Sequence, residues 1–176
     1  MTDTETWHLA VTAVSVELSR LPPEKRNSFS RLAEEAWHCK TALHAIVAAA
    51  DCGGICADCG GECCRTGKYH FTLVDLLVYL SRGEALFEPG FNRPLCPFLG
   101  PDGCFMAPGY RPYTCVTFNC DRVMTHLDTP EEERLTRLER ELRELYDRFG
   151  MLLGRRVMNG LLLDFEAASV PSLIQR

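Results

Sequence analysis

The sequence has no positive charge to spare. Nineteen lysines and arginines stand against twenty-four aspartates and glutamates, a formal net charge of −5. Nucleic acid and anionic membrane surfaces both call for a basic patch, so neither is expected as a partner. No apolar run approaches the roughly eighteen residues that a membrane span needs. The opening residues, MTDTETWHLA, lack the basic-then-apolar profile of a secretory signal. The expected location is therefore cytoplasmic, where thiols stay reduced. No phosphate loop, paired-carboxylate signature, Ser/His/Asp set or strand–helix–strand repeat stands out.

Cysteine, by contrast, is abundant. Nine of the ten cysteines fall between residues 52 and 120, with ten of the thirteen glycines. Five lie in one stretch, CGGICADCGGECC, residues 52 to 64. Its spacing is Cys52-x3-Cys56-x2-Cys59-x3-Cys63-Cys64. Close pairs of this kind let a short turn aim two sulfurs at one ion, and backbone N–H groups in the turn can stabilise the thiolates. Four more follow at Cys96, Cys104, Cys115 and Cys120. In a reducing compartment such a set points to metal or redox chemistry more than to disulfides. The adjacent Cys63 and Cys64 serve different sites if the backbone is extended, and one cluster if it is turned.

The flanks read as helices. Phe29, Leu32, Ala36, Cys39, Leu43, Ile46 and Ala50 recur at steps of three and four, one helical face. Cys39 lies on that stripe and is expected to be a buried apolar residue. Trp7, Val11, Val14, Leu18 and Leu21 fit a helix ended by Pro22-Pro23, although the valines also alternate as in a strand. Thr72 and Asp75 form a capping box ahead of LVDLLVYLSRG, with Gly83 beyond. After Gly83 nearly forty residues lack sustained periodicity, a loop that something must tie down. Near the C-terminus, Thr129 is the expected cap, Pro130 the first helical residue and Glu132 the partner of the box. Leu135, Leu138, Leu142, Leu145 and Phe149 form the buried stripe there, with Gly150 as the stop. Glu139–Arg143 and Glu144–Arg148 are expected as solvent-facing pairs. A further short helix and an apolar segment are expected in the tail.

The expected fold is thus mainly α, with helices packed around an irregular, metal-clamped segment rich in Cys, Gly and Pro. At 176 residues it suits a single domain. Residues 1–51 would supply N-terminal helices, 52–120 the cysteine segment and 121–176 a helical C-terminal part. Within the middle, PGFNRPLC and PGYRPYTC echo one another, each ending in a cysteine.

The segments CADCGGECC, CPFLGPDGC and YRPYTCVTFNC, with the helix start FTLVDLLVYL, resemble the CxxCxxCC cysteine-cluster family described as zinc- or iron-chelating. The resemblance covers residues 56 to 120 and departs in one place, where three residues instead of two separate Cys59 from Cys63. It implies eight metal-binding cysteines: Cys56, Cys59, Cys63, Cys64, Cys96, Cys104, Cys115 and Cys120. Cys52 lies outside the motif. A related domain in flagellin lysine N-methylases implies a redox or methyl-transfer-associated role.

Several readings follow. An iron–sulfur cluster, of the 4Fe-4S type, is favoured by the proline after Cys96, with Phe98, Phe105, Met106, Tyr110, Tyr113 and Phe118 as shielding residues. A structural zinc module acting on an unnamed protein partner is the alternative. Cys52-x3-Cys56-x2-Cys59 also matches the radical-SAM spacing, but without the strand–helix repeat of those enzymes. A thiol oxidoreductase using Cys56 and Cys59 ranks last. His70 and His126 are considered as ligands or as donors to ligands, and Arg65 and Arg111 as groups offsetting thiolate charge.

Overall fold

The computed structural model describes residues 1–58, 62–93, 95–100, 103–168 and 172–174, with the backbone alone for 62–65. The fold is mainly α. In chain order it comprises α1 (Asp3–Arg20), α2 (Pro23–Ala49), α3 (Cys52–Asp58), a 3-10 helix (Glu62–Tyr69) and α4 (Leu73–Arg82). Then come β1 (Leu99–Gly100), β2 (Gly103–Cys104), a 3-10 turn (Pro108–Tyr110), α5 (Tyr113–Thr117), α6 (Asp121–Met124), α7 (Thr129–Leu153) and α8 (Leu161–Ala167).

The spine is α2. Its stripe from Phe29 to Val47 is buried, and the helix packs against α3, α4, α5, α7 and the 3-10 turn at Pro108. The pairing with α7 is antiparallel. Phe29 stacks on Phe149 at 6.1 Å, and ten residues later the Cys39 thiol donates to the Leu138 carbonyl at 3.3 Å. Cys39 is thus a core residue, as its place on the stripe predicts. Burial pushes its thiol up to about 11, with Glu141 adding to the effect.

Helix α4 lies innermost. Leu73 through Tyr79 are all buried, so it is enclosed on every side rather than amphipathic. Thr72 and Asp75 close the expected capping box, and Gly83 ends the helix in a left-handed conformation. The valines of α1 are helical, which removes the strand alternative. Its Trp7 joins Phe71, Phe87, Phe91 and Phe98 in an aromatic cluster with ring centroids 5.0 to 6.2 Å away. The tail supplies the expected short helix, α8, and buried Leu173 and Ile174. The backbone N–H groups of these two donate to the Glu17 carboxylate at 3.0 and 2.6 Å.

Helix α7 differs from the sequence reading at both ends. Its N-cap is Asp128, not Thr129, and Glu131, not Glu132, completes the box. A carboxylate complements the positive helix terminus better than a hydroxyl does. Gly150 does not stop the helix, which runs on to Leu153 and ends at left-handed Gly154. Space is tight at Gly150, where a Cβ would sit 3.1 Å from the Arg155 carbonyl of the returning chain. Leu138 is only partly buried. Arg148 pairs with Glu35 of α2 at 2.6 Å rather than only facing solvent.

Candidate metal centre

The first part of the cysteine-rich stretch, residues 52 to 58, is a helix and not the turn its glycines suggest. Asp51 adopts a left-handed conformation, φ 54°, and breaks the chain away from α2. Its carboxylate then accepts the Gly54 N–H at 3.3 Å, which starts α3. Cys52 and Cys56 stand four residues apart on that helix, on one face. Cys56 is exposed and Cys52 half-buried. Burial raises the Cys52 thiol pKa, against the opposing charge of Arg111. Cys59 lies outside the described residues. The backbone of Cys63 and Cys64 is in the 3-10 helix, so the extended geometry that would send neighbouring side chains to opposite sides does not apply.

The end of that 3-10 helix touches two other cysteine segments. A Cβ on Gly67 would lie 2.5 Å from the Cys96 sulfur, so only a glycine lets the chain come this close. Three residues on, His70 Nδ1 is 3.5 Å from the Cys115 sulfur. The His70 N–H donates to the Gly67 carbonyl at 3.0 Å, and Nε2 is 3.4 Å from the Thr66 hydroxyl. Burial lowers the imidazole pKa, partly offset by the nearby Asp75.

Cys96 sits in a tight turn. The Leu99 N–H donates to the Cys96 carbonyl at 3.1 Å, and the Phe98 backbone N–H lies close enough to work against a raised thiol pKa. This is the backbone arrangement that stabilises a thiolate. Burial nevertheless dominates and raises the thiol pKa, and a neighbouring Cys104 charge adds to the rise. Cys104 reaches Cys96 because β1 and β2 pair Leu99 with Cys104. The hairpin is locked by Arg93, whose Nη1 donates to the Leu99 carbonyl at 2.8 Å. The second half of the sequence echo behaves alike: Arg111 Nε donates to the Met106 carbonyl at 3.2 Å. Arg111 also meets His44 Nδ1 at 3.2 Å. It serves the loop more than any sulfur.

Cys120 is the N-cap of α6, and α6 packs against α3. Beside it, Asn119 Nδ2 is buried with no hydrogen-bond partner among the described residues. An orphaned donor next to a cysteine suits a site where sulfur accepts. Among the described residues no three Cys, His, Asp or Glu side chains converge tightly enough to form a metal site by themselves. Cys59 and the side chains of Cys63 and Cys64 lie outside the described residues. His126 instead contacts the Arg122 carbonyl through Nδ1 at 2.8 Å, within its own turn.

The shielding residues divide. Phe98, Met106 and Tyr110 are buried, but Phe105 and Phe118 are 46% and 59% exposed. Those two do not wall off the centre from water among the described residues.

One constellation escaped the sequence reading. Asp75, Lys40 and Tyr146 meet in the core. Lys40 and Asp75 side chains are fully buried and 2.6 Å apart. Tyr146 donates to the same Asp75 oxygen at 2.6 Å, and Thr72 donates to the other through N–H and hydroxyl, both at 2.8 Å. Burial and the Asp75 charge hold the Tyr146 phenol well above its usual pKa. Tyr113, at the start of α5, packs its ring edge-on against that of Tyr146 at 5.1 Å, and its backbone N–H works to lower the phenol pKa. The network therefore fixes Tyr113, two residues before Cys115, and Thr72, two residues after His70. A signal was present: Lys40 follows Ala36 by four and precedes Leu43 by three, so a charge stands on an apolar stripe.

No protein-family model, curated protein or solved structure matches this chain. The family resemblance therefore rests on the cysteine spacing.

Proposed function

We propose that the chain is a metal-binding protein whose centre is held by Cys56, Cys59, Cys63, Cys64, Cys96, Cys104, Cys115 and Cys120, as an iron–sulfur cluster or as zinc. One observation carries this reading. Gly67 and His70, on one turn directly after Cys63-Cys64, touch Cys96 and Cys115, so thiols far apart in sequence approach a single backbone turn. The unpartnered Asn119 amide supplies a donor that a thiolate or sulfide would accept. The donor set fits a thiolate-loving metal. When bound, that metal supplies either electron transfer or a structural clamp. The residues themselves orient the sulfurs and offer them a hydrogen-bond donor.

The radical-SAM alternative finds no frame, because Cys52 and Cys56 sit on a short helix and no strand–helix repeat occurs among the described residues. Anaerobic purification followed by metal analysis and a visible spectrum tests the proposal. Iron with acid-labile sulfide and broad visible absorption assigns a cluster, and a colourless zinc protein assigns the clamp. Absence of stoichiometric metal under both aerobic and anaerobic conditions overturns it.

A further inference from the structure

We propose that His70 is itself a metal ligand, bound through Nδ1 beside Cys115. The inference rests on the metal-binding reading above and deepens it: the centre takes imidazole as well as thiolate.

The distance is the first argument. Metal–nitrogen bonds of about 2.0–2.1 Å and metal–sulfur bonds of about 2.3 Å, at a tetrahedral angle, place the two ligand atoms about 3.6 Å apart. His70 Nδ1 and Cys115 Sγ are separated by 3.5 Å. They come from segments 45 residues apart in sequence, so the approach is made by the fold and not by local chain geometry.

The ring's other face is the second argument. A ligating histidine donates its outer N–H to a partner that fixes ring and tautomer. Thr66 occupies that position, its hydroxyl 3.4 Å from Nε2. With Nε2 protonated, Nδ1 turns a bare lone pair toward the sulfur. The thiol proton of Cys115 bridges that gap in the metal-free protein, and a metal ion that displaces it would bind both atoms.

The third argument is anchoring. The His70 backbone is tied to Gly67, which abuts Cys96. Phe71, next in sequence, is buried and accepts the Leu161 N–H at 2.7 Å. The imidazole is held by rigid elements on both sides, as a ligand must be.

At the position it fills, a neutral imidazole makes the centre one charge less negative than a ninth thiolate there would. In an iron–sulfur centre that substitution raises the reduction potential.

X-ray absorption at the edge of whichever metal the purified protein carries decides the matter. The wild type is expected to show imidazole scattering alongside sulfur. His70→Ala should lose the imidazole contribution, and His70→Cys should keep the metal in an all-sulfur shell. Metal present with sulfur alone in the wild type overturns the proposal while leaving the metal reading standing; His70 is then an N–H···S donor. Imidazole scattering that persists in His70→Ala overturns it as well. A wild type that binds no metal overturns both readings.

Discussion

Two halves of this molecule are held together by different physics. The frame of α1, α2, α4 and α7 buries long apolar stripes and closes around an internal Lys40–Asp75–Tyr146 network. The cysteine segment from Cys52 to Cys120, leaving out α4 at its centre, has short helices, a hairpin of two-residue strands and, apart from buried Cys96, partly exposed thiols among the described residues. Its large side chains split between the frame's core, as Phe98 does, and solvent, as Phe118 does. The frame follows from burial alone. The segment has the chemistry of something completed by a ligand, because its irregular stretch after Gly83 has no long helix or strand among the described residues to order it.

That contrast can be broken most forcefully at the sulfurs. Cys115→Ser or Cys59→Ser is expected to abolish stoichiometric metal and remove amide-exchange protection across residues 89–120. Protection in α2 and α7 should persist, because metal binding is coupled to folding only of the segment. Equal loss of protection in α2 would show that the two halves are one cooperative unit.

Next come the substitutions that attack the frame. Lys40→Met leaves a buried carboxylate without its cation and should cost about 3–5 kcal/mol in urea denaturation. The double variant Lys40→Met/Asp75→Asn should cost less than the sum of the single changes. An additive result would mean that the pair is not coupled.

A smaller effect is expected where the halves meet. Gly67→Ala drives a methyl into the Cys96 sulfur and should destabilise the metal-loaded protein by about 1–3 kcal/mol, with weaker metal retention against a chelator. Cys39→Ala is its control. It should lower stability by about 1 kcal/mol and leave metal stoichiometry unchanged.

The smallest effect is a pH dependence of the frame. Burial lowers the His44 pKa from 6.5, with Arg111 contributing. The unfolded chain then takes up the proton first, so stability is full above pH 6.5 and declines as pH falls through it. His44→Asn should flatten that slope in denaturation midpoints measured from pH 7.5 to about 5.

The frame was legible in sequence because helix periodicity is a burial signal: Phe29 to Ile46 and Leu135 to Phe149 mark faces that must meet. Its boundaries were less so, since Asp128 and Thr129 both start a valid capping box and only the field of the finished helix separates them. The Asp75 network was missed because a lone lysine on a stripe reads as noise until its partner, 35 residues away, is seen. In the cysteine segment, spacing identified ligand candidates but not conformation. CGGICAD becomes a helix through the left-handed turn at Asp51, which composition does not announce. The His70–Cys115 approach depends on how α5 docks against the turn after the 3-10 helix and has no local sequence signature.

The two tryptophans carry a practical consequence. Trp7 stacks near Phe98, two residues from Cys96, at 6.1 Å. Trp37 lies against Gly109 and edge-on to Tyr110 at 6.3 Å, on the approach to Cys115. Each indole belongs to the frame and looks onto a different arm of the cysteine segment. Their emission is thus a native optical gauge of the boundary, through which loading of the centre and melting of each arm can be followed without attaching any dye.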